Sequence, residues 1–360
     1  MDKLKRFLDC YISTETCNLR CHYCYIAQKR KFNNKLAEFK HSPQTIRRAL
    51  SVERLGGKCL INLCAGGETL LAEDVLYIIK ELLEEGHYVM VVTNGTLTKR
   101  FDQIITFDKK LLKRLFFKFS FHYLELKRIN MMNEYFQNIK KVQEAGCSFT
   151  VEMTPSDEVI DQIDDIKDIC MKNLGTLCHI TIARDDRTKG IEVLSKYSLN
   201  DYKKIWKTFD SSFFNFKSSI FNVKRKEFCY AGDWSAYINL VSGDMTQCYC
   251  GKKLDNIYDN IEKPLNFEAI GRCSLPHCYN GHAFLAIGDI PNLETPTYGE
   301  LREHRTADKD TANWLQNDMS NFMAQKLKDN NEEYSLVKQK YILTKNFTKR
   351  IIKKCINTLR

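Results

Sequence analysis

Cys17-Asn18-Leu19-Arg20-Cys21-His22-Tyr23-Cys24-Tyr25 sets three thiols in one short stretch, with three and then two residues between them. The apolar-rich residues Tyr11 to Thr14 just before it read as a strand. Three thiolates can hold three irons of a 4Fe–4S cluster and leave the fourth iron open to a small molecule. A closed structural metal site would want a fourth ligand nearby, and His22, lying between two of the thiols, is the one residue at close spacing. The alternative is a zinc site, or three unrelated core thiols, because free cysteine is often buried.

A second motif, Ala65-Gly66-Gly67-Glu68, follows directly on Cys59-Leu60-Ile61-Asn62-Leu63-Cys64. Two glycines at the end of a strand let backbone approach a ligand closely, and the glutamate adds an acceptor. Thr93-Asn94-Gly95-Thr96 closes the third apolar run in the same way, although Asn-Gly also makes an ordinary turn. In parallel βα architectures ligands gather at this end of the strands.

Residues 9–185 alternate short β-rich runs with helical patterns. Strands are expected near 10–15, 59–64, 88–92, 116–121, 148–153 and 178–183, with helices over about 43–55, 72–86, 99–114, 131–145 and 157–173. Ser42-Pro43 and Glu73-Asp74 suit helix starts, and Gly86, Gly146 and Gly175 suit stops. Six such units make an α/β fold with parallel strands and right-handed crossovers. Periodicity leaves open whether the sheet is doubly wound or a partial (β/α) barrel.

The thiol spacing, the aromatic Tyr23 before the third cysteine and the position near the N-terminus resemble the radical S-adenosylmethionine (radical SAM) enzymes. The resemblance implies a TIM-like partial (β/α)6 barrel over residues 1–190. It implies that the open iron chelates the amino and carboxylate groups of S-adenosylmethionine, with Tyr23, Gly66, Gly67, Glu68 and Asn94 beside it. Ser120 and Arg184 take positions that contact ribose and carboxylate in such enzymes; His122 and Glu152 also sit at strand ends, where each could instead be a satisfied rim residue. Many relatives continue Gly-Gly-Glu with proline, whereas this chain has Thr69. The implied reaction starts with one electron from a donor such as flavodoxin or ferredoxin. S-adenosylmethionine is then cleaved to methionine and a 5′-deoxyadenosyl radical, which takes a hydrogen atom from substrate. No catalytic side chain is assigned.

Cys229, Cys248, Cys250, Cys273 and Cys278 form a second group. Tyr237–Val241 and Met245–Tyr249 flank the turn Ser242-Gly243-Asp244 and read as a β-hairpin. This resembles the cysteine-hairpin-cysteine signature of SPASM and twitch domains, which carry auxiliary iron–sulfur clusters. Too few cysteines follow for a full SPASM pattern, so one cluster held by Cys229, Cys248, Cys273 and Cys278 is implied, with Cys250 as substitute. Some relatives have a further cysteine where this chain has Gly281. Four thiolates also suit zinc. Cys10, Cys59, Cys64, Cys147, Cys170, Cys178 and Cys355 are expected to be core or incidental thiols.

The 360 residues are 43% hydrophobic and 28% charged, enough for a full core in a large and a small domain. The expected division is a helical linker over 191–228, a twitch-like domain over 229–295 and a helical basic extension over 296–360. The charged segment Met1 to Asp9 lacks a secretory h-region, and no apolar run reaches the ~20 residues that span a bilayer. Fifteen cysteines therefore suggest metal ligation in a reducing cytoplasm. Eight of the 55 Lys and Arg lie in residues 334–360, which contain no Asp or Glu, leaving 47 cations against 45 anions in the rest. No nucleic-acid footprint is present. Tyr334, Val337, Tyr341, Phe347, Ile351, Cys355 and Leu359 recur near helical spacing in that tail. It is expected to dock its apolar stripe on the body, with peripheral contact to an anionic membrane as the alternative.

The substrate expected from these features is a carbohydrate or cell-envelope precursor, or a peptide. Only sixteen residues precede Cys17, so no leader-binding domain is expected at this end and a partner would deliver a peptide. The reading from a different class is a cysteine-rich zinc module that recruits an anionic partner. It leaves Gly66-Gly67-Glu68 and the six βα units unexplained.

Overall fold

Each strand of the sheet divides its side chains between two different interiors. In the computed structural model the described residues are 2–188, 190–304 and 313–358, with side chains of the last helix to Thr348. Strands β1 (Arg6–Ile12), β2 (Cys59–Ala65), β3 (Tyr88–Thr93), β4 (Leu115–Ser120), β5 (Ser148–Met153) and β6 (His179–Ile180) pair in parallel in that order. Successive side chains on a strand point to opposite faces. Leu8, Cys10, Ile12, Ile61, Leu63, Val89, Val91, Phe117 and Phe119 pack in the outer core among the helices. The alternate residues differ by height. Phe7, Leu60, Tyr88 and Phe116, near the strand starts, belong to a second apolar cluster. Asp9, Tyr11, Asn62, Cys64, Val92 and Lys118, nearer the strand ends, line a lumen.

The helices follow their sequence signals. The Ser42 hydroxyl accepts from the Thr45 N–H at 3.1 Å and Pro43 takes the first position of helix Pro43–Ala49. Helix Asp74–Glu84 buries Val75, Leu76, Ile78, Ile79, Leu82 and Leu83 along one stripe. Helix Ile163–Leu174 stops at Gly175, whose φ of 70° suits glycine.

Four features depart from expectation. β1 starts at Arg6, because Arg6–Ile12 ladder fully with Cys59–Ala65. Beyond it the Thr14 and Thr16 carbonyls bend away to take other donors. The 178–183 run yields only two paired residues; β7 (Arg184–Asp185) pairs instead with β8 (Glu192–Val193) as a separate antiparallel hairpin. The polar run Asp186-Arg187-Thr188 belongs to the connection of that hairpin. Helix Tyr123–Arg128 forms after β4, where none was expected.

The cysteine-rich region continues the same sheet. β9 (Ser235–Asn239) adds in parallel to the open edge of β1, and β10 (Asp244–Thr246) and β11 (Lys253–Asn256) follow antiparallel, making nine strands. The expected hairpin sets Met245 opposite Ile238. It is shorter than expected, since the chain leaves β10 at Thr246 and turns through Cys248–Gly251. Phe213, Trp234, Ala286, Leu301 and Phe322 close the lower end of the barrel on Phe7, Leu60 and Phe116.

Over its described side chains, helix Leu336–Thr358 docks by one face. Ile342 is buried, Lys345 pairs with Glu268 at 2.9 Å, and Asn346 donates to the Ile270 carbonyl at 3.1 Å. Leu336, Val337, Tyr341 and Phe347 remain exposed. The side chains of Ile351, Cys355 and Leu359, and of the cations from Lys349 onward, lie outside the described residues. No described helix is long and apolar enough to cross a membrane.

Candidate active site

The cysteine loop is anchored before it reaches its first thiol. The Thr14 and Thr16 hydroxyls both donate to the Lys35 carbonyl, at 2.9 and 2.7 Å. The Thr14 and Thr16 carbonyls accept the Gly67 and Glu68 N–H groups at 2.8 and 3.0 Å. This contact explains both glycines. A Cβ on Gly66 would stand 2.2 Å from the Thr14 oxygen, and one on Gly67 would stand 1.7 Å from the Thr16 oxygen. The close approach expected of a ligand is thus made by the protein's own loop, and alanine at either position must displace it.

Glu68 locks the next strand end to this unit. Its buried carboxylate accepts from the Leu70 N–H at 3.0 Å, the Thr93 hydroxyl at 2.7 Å and the Asn94 N–H at 2.7 Å. Burial raises its pKa, against the opposing pull of these donors. Asn94 in turn donates to the Asn18 side chain at 2.8 Å and lies 3.8 Å from the Cys17 sulfur. Asn18 donates to Thr96 at 2.7 Å. Glu68 therefore positions Asn94, and Asn94 positions the thiol loop.

Cys17, Cys21 and Cys24 share a cavity of about 100 Å³ with Gly66, Gly67, Glu68, Asn94, Ser120 and His122. Burial pushes the Cys17 thiol up to about 11 and raises Cys21 and Cys24 as well. The protein alone thus disfavours thiolates, which a bound metal cation would restore. Among the described residues, no three His, Cys, Asp or Glu gather closely enough to hold a single ion. Three soft donors around one cavity, with no fourth, fit a 4Fe–4S cluster with an open iron. The Tyr23 side chain lies between the thiol loop and His122, hydrogen-bonded to the Cys21 thiol and with its hydroxyl 2.7 Å from His122 Nδ1.

Cys24, Val92 and His122 line both this cavity and the lumen, whose volume is about 630 Å³. Arg184 reaches the lumen from β7, not from a sixth-strand end, and donates to the Tyr279 carbonyl at 3.0 Å. Glu152 is no rim residue: buried on β5, it pairs with Lys118 at 2.9 Å and with Arg302. Cys64 faces the lumen, whereas Cys10, Cys59, Cys147, Cys170 and Cys178 are core thiols as expected. Sequence reasoning missed Asp9, Lys118, Lys217, His282 and Arg302, all on the lumen wall. Asp9 and Lys118 each interrupt an apolar strand, a signal that could have found them; Lys217 and Arg302 carry none.

Cys229, Cys248, Cys273 and Cys278 line one small, mostly apolar cavity of about 40 Å³. The Cys250 sulfur lies 3.5 Å from that of Cys248 and 3.7 Å from that of Cys273. The two cysteines do not share a strand face; they occupy a turn closed by the Gly251 N–H on the Cys248 carbonyl. Their neighbours Tyr249, Tyr279 and Asn280 line the lumen.

Residues 11–170 match the family described as the Radical SAM superfamily. The crystal structure of Streptococcus suis SuiB bound to S-adenosylmethionine has the same fold, with a TM-score of 0.51 and 15% identity over 85% of this chain and 70% of that one. A second SuiB structure gives a TM-score of 0.48 and 17% identity over 72% of this chain, which spans only 64% of that SuiB chain. The protein anSMEcpe with bound AdoMet gives 0.47 and 15% over 72% and 77% of the two chains. No curated protein matches the chain. The matched span contains the thiol loop, Gly66-Gly67-Glu68, Asn94 and Ser120. Over residues 11–170 the chain is thus similar to the Radical SAM superfamily, and its fold is that of the S-adenosylmethionine-bound SuiB structure.

Proposed function

We propose that the chain holds a 4Fe–4S cluster on Cys17, Cys21 and Cys24, cleaves S-adenosylmethionine reductively there, and removes a hydrogen atom from a substrate in the lumen. The supporting observation is that the three thiols and the ends of β2, β3 and β4 share one cavity, which meets the lumen at Cys24, Val92 and His122. When bound, the reduced cluster and S-adenosylmethionine supply a 5′-deoxyadenosyl radical. The chain's own part is placement. Glu68 and Asn94 hold the thiol loop, Gly66 and Gly67 let it lie against β2, and the plugged lower end of the barrel keeps water from entering behind the substrate.

Cys229, Cys248, Cys273 and Cys278 would hold an auxiliary iron–sulfur cluster, with Cys250 as an alternative ligand. On this reading 1–190 is the catalytic barrel, 191–228 a helical link, 229–295 a twitch-like domain and 296–360 an extension. A flavodoxin or ferredoxin would deliver the electron. The hydroxyl- and amide-lined lumen favours a polar substrate, a carbohydrate or cell-envelope precursor before a peptide. SuiB has been crystallised with its precursor peptide SuiA, which keeps the peptide reading as the second.

The test is anaerobic purification and reconstitution, followed by dithionite reduction with S-adenosylmethionine. The expected result is bound iron with acid-labile sulfide and formation of 5′-deoxyadenosine. A colourless, zinc-loaded protein without labile sulfide would instead support the zinc module.

The exposed side of helix Leu336–Thr358 adds a peripheral contact to this proposal. Leu336, Val337, Tyr341 and Phe347 stand among Lys338 and Lys340, a composition suited to an anionic lipid surface. The protein is expected to bind phosphatidylserine vesicles less as salt rises. Tyr341→Ser with Phe347→Ser should weaken that binding and leave the melting temperature unchanged. Equal binding by the variant retires the membrane role.

A further inference from the structure

The lumen wall carries more positive charge than its carboxylates answer. Lys118, Arg184, Lys217 and Arg302 all line it. Glu152 serves both Lys118 and Arg302, and Asp186 lies 3.7 Å from Arg184. Asp9 is taken by neutral donors: Asn62 at 2.7 Å, Asn280 at 3.0 Å, and Tyr249. Lys217 has no ion-pair partner among the described residues. Its ammonium donates to the Thr181 hydroxyl, and the residue is 9% exposed. His282, on the same wall, has a buried Nδ1 without a hydrogen-bond partner. A buried cation without a counter-charge is costly, and a bound anion would remove that cost.

We infer that the substrate carries an oxyanion, a phosphate or a carboxylate, that docks on Lys217 and Arg302. The inference rests on the lumen being the substrate chamber and adds the chemical class of what it holds. Lys217 and Arg302 are not among the groups assigned to S-adenosylmethionine, of which Tyr23 and Arg184 also line the lumen. Burial, then Arg184 and Lys118, hold Lys217 well below the usual lysine range. An arriving anion restores its charge and gains an ion pair in a shielded site. The chamber's ~630 Å³ suits a ligand of metabolite size.

Calorimetric titration of the reconstituted full chain, saturated with S-adenosylmethionine, tests this with inorganic phosphate and, separately, succinate. One of the two is expected to bind and its identity names the group. Lys217→Met should weaken that binding about tenfold or more, as loss of one charge-assisted contact predicts. Lys217→Arg should restore it, and affinity for S-adenosylmethionine should stay within about twofold. Lys217→Gln, which can keep the bond to Thr181, gives the same comparison if methionine prevents folding. Binding of neither anion, equal binding by the neutral variants, or a parallel loss of S-adenosylmethionine would overturn the inference. Failure to form 5′-deoxyadenosine would instead bring down the enzymatic proposal, whatever the titration shows.

Discussion

Alanine at Cys17, Cys21 and Cys24 together is expected to abolish reductive cleavage of S-adenosylmethionine and to leave part of the iron bound. The three thiols share one cavity at the strand ends, while Cys229, Cys248, Cys273 and Cys278 line another beyond β10. No residue lines both, so removing one donor set leaves the other intact. A retained 4Fe–4S cluster would appear as about four irons per chain, with matching sulfide. The triple variant should keep its melting temperature, since the loop stays tied through Thr14, Thr16 and Asn18. Loss of all iron from a folded variant removes the auxiliary cluster. Residual 5′-deoxyadenosine formation removes the assignment of the first.

The thiol loop and Gly66-Gly67-Glu68 were legible because each is contiguous and its chemistry depends on local spacing. The parallel strands were legible as apolar runs, since both of their faces are covered for most of their length. What the glycines do was not legible. They admit the backbone of residues 14–16, a neighbour some fifty positions earlier, and nothing near them announces it. Asp9 in Phe7-Leu8-Asp9-Cys10 and Lys118 in Phe117-Lys118-Phe119 did break the apolar pattern at inward positions, and period-two alternation points them into the barrel. Lys217 and Arg302 come from segments that fold back across the barrel. Their place depends on packing of the second core, which sequence spacing does not encode. The shift in β1 has the same origin: Arg6 reads as part of a charged end until its bonds to Asp233 and the Leu55 carbonyl take it into the sheet.

Replacing Arg302 by methionine should cost about 3–5 kcal/mol of stability, the usual loss when one member of a buried ion pair is removed. Arg302 and Glu152 are 1% and 3% exposed, and the guanidinium also donates to the Tyr298 hydroxyl at 3.1 Å. The pair joins β5 to the segment that plugs the barrel, so its loss loosens the plug as well as the lumen wall. Burial alone would raise the Glu152 pKa, but Arg302 and Lys118 outweigh it and hold it below the usual carboxylate value. A depressed native pKa gives stability that is complete above the unfolded carboxylate pKa. It is lost as pH falls through the native one. Wild-type protein should therefore lose this contribution only in acid, below the ordinary glutamate range. With Lys118 as its one remaining cation, Glu152 in the variant should protonate at higher pH. Urea unfolding across pH 3–7 measures both effects, and adding Glu152→Gln should recover part of the loss by removing the stranded carboxylate. A loss under about 1 kcal/mol, or no recovery in the double variant, would mean that packing of Phe213 and Leu301 holds the plug and the ion pair is incidental.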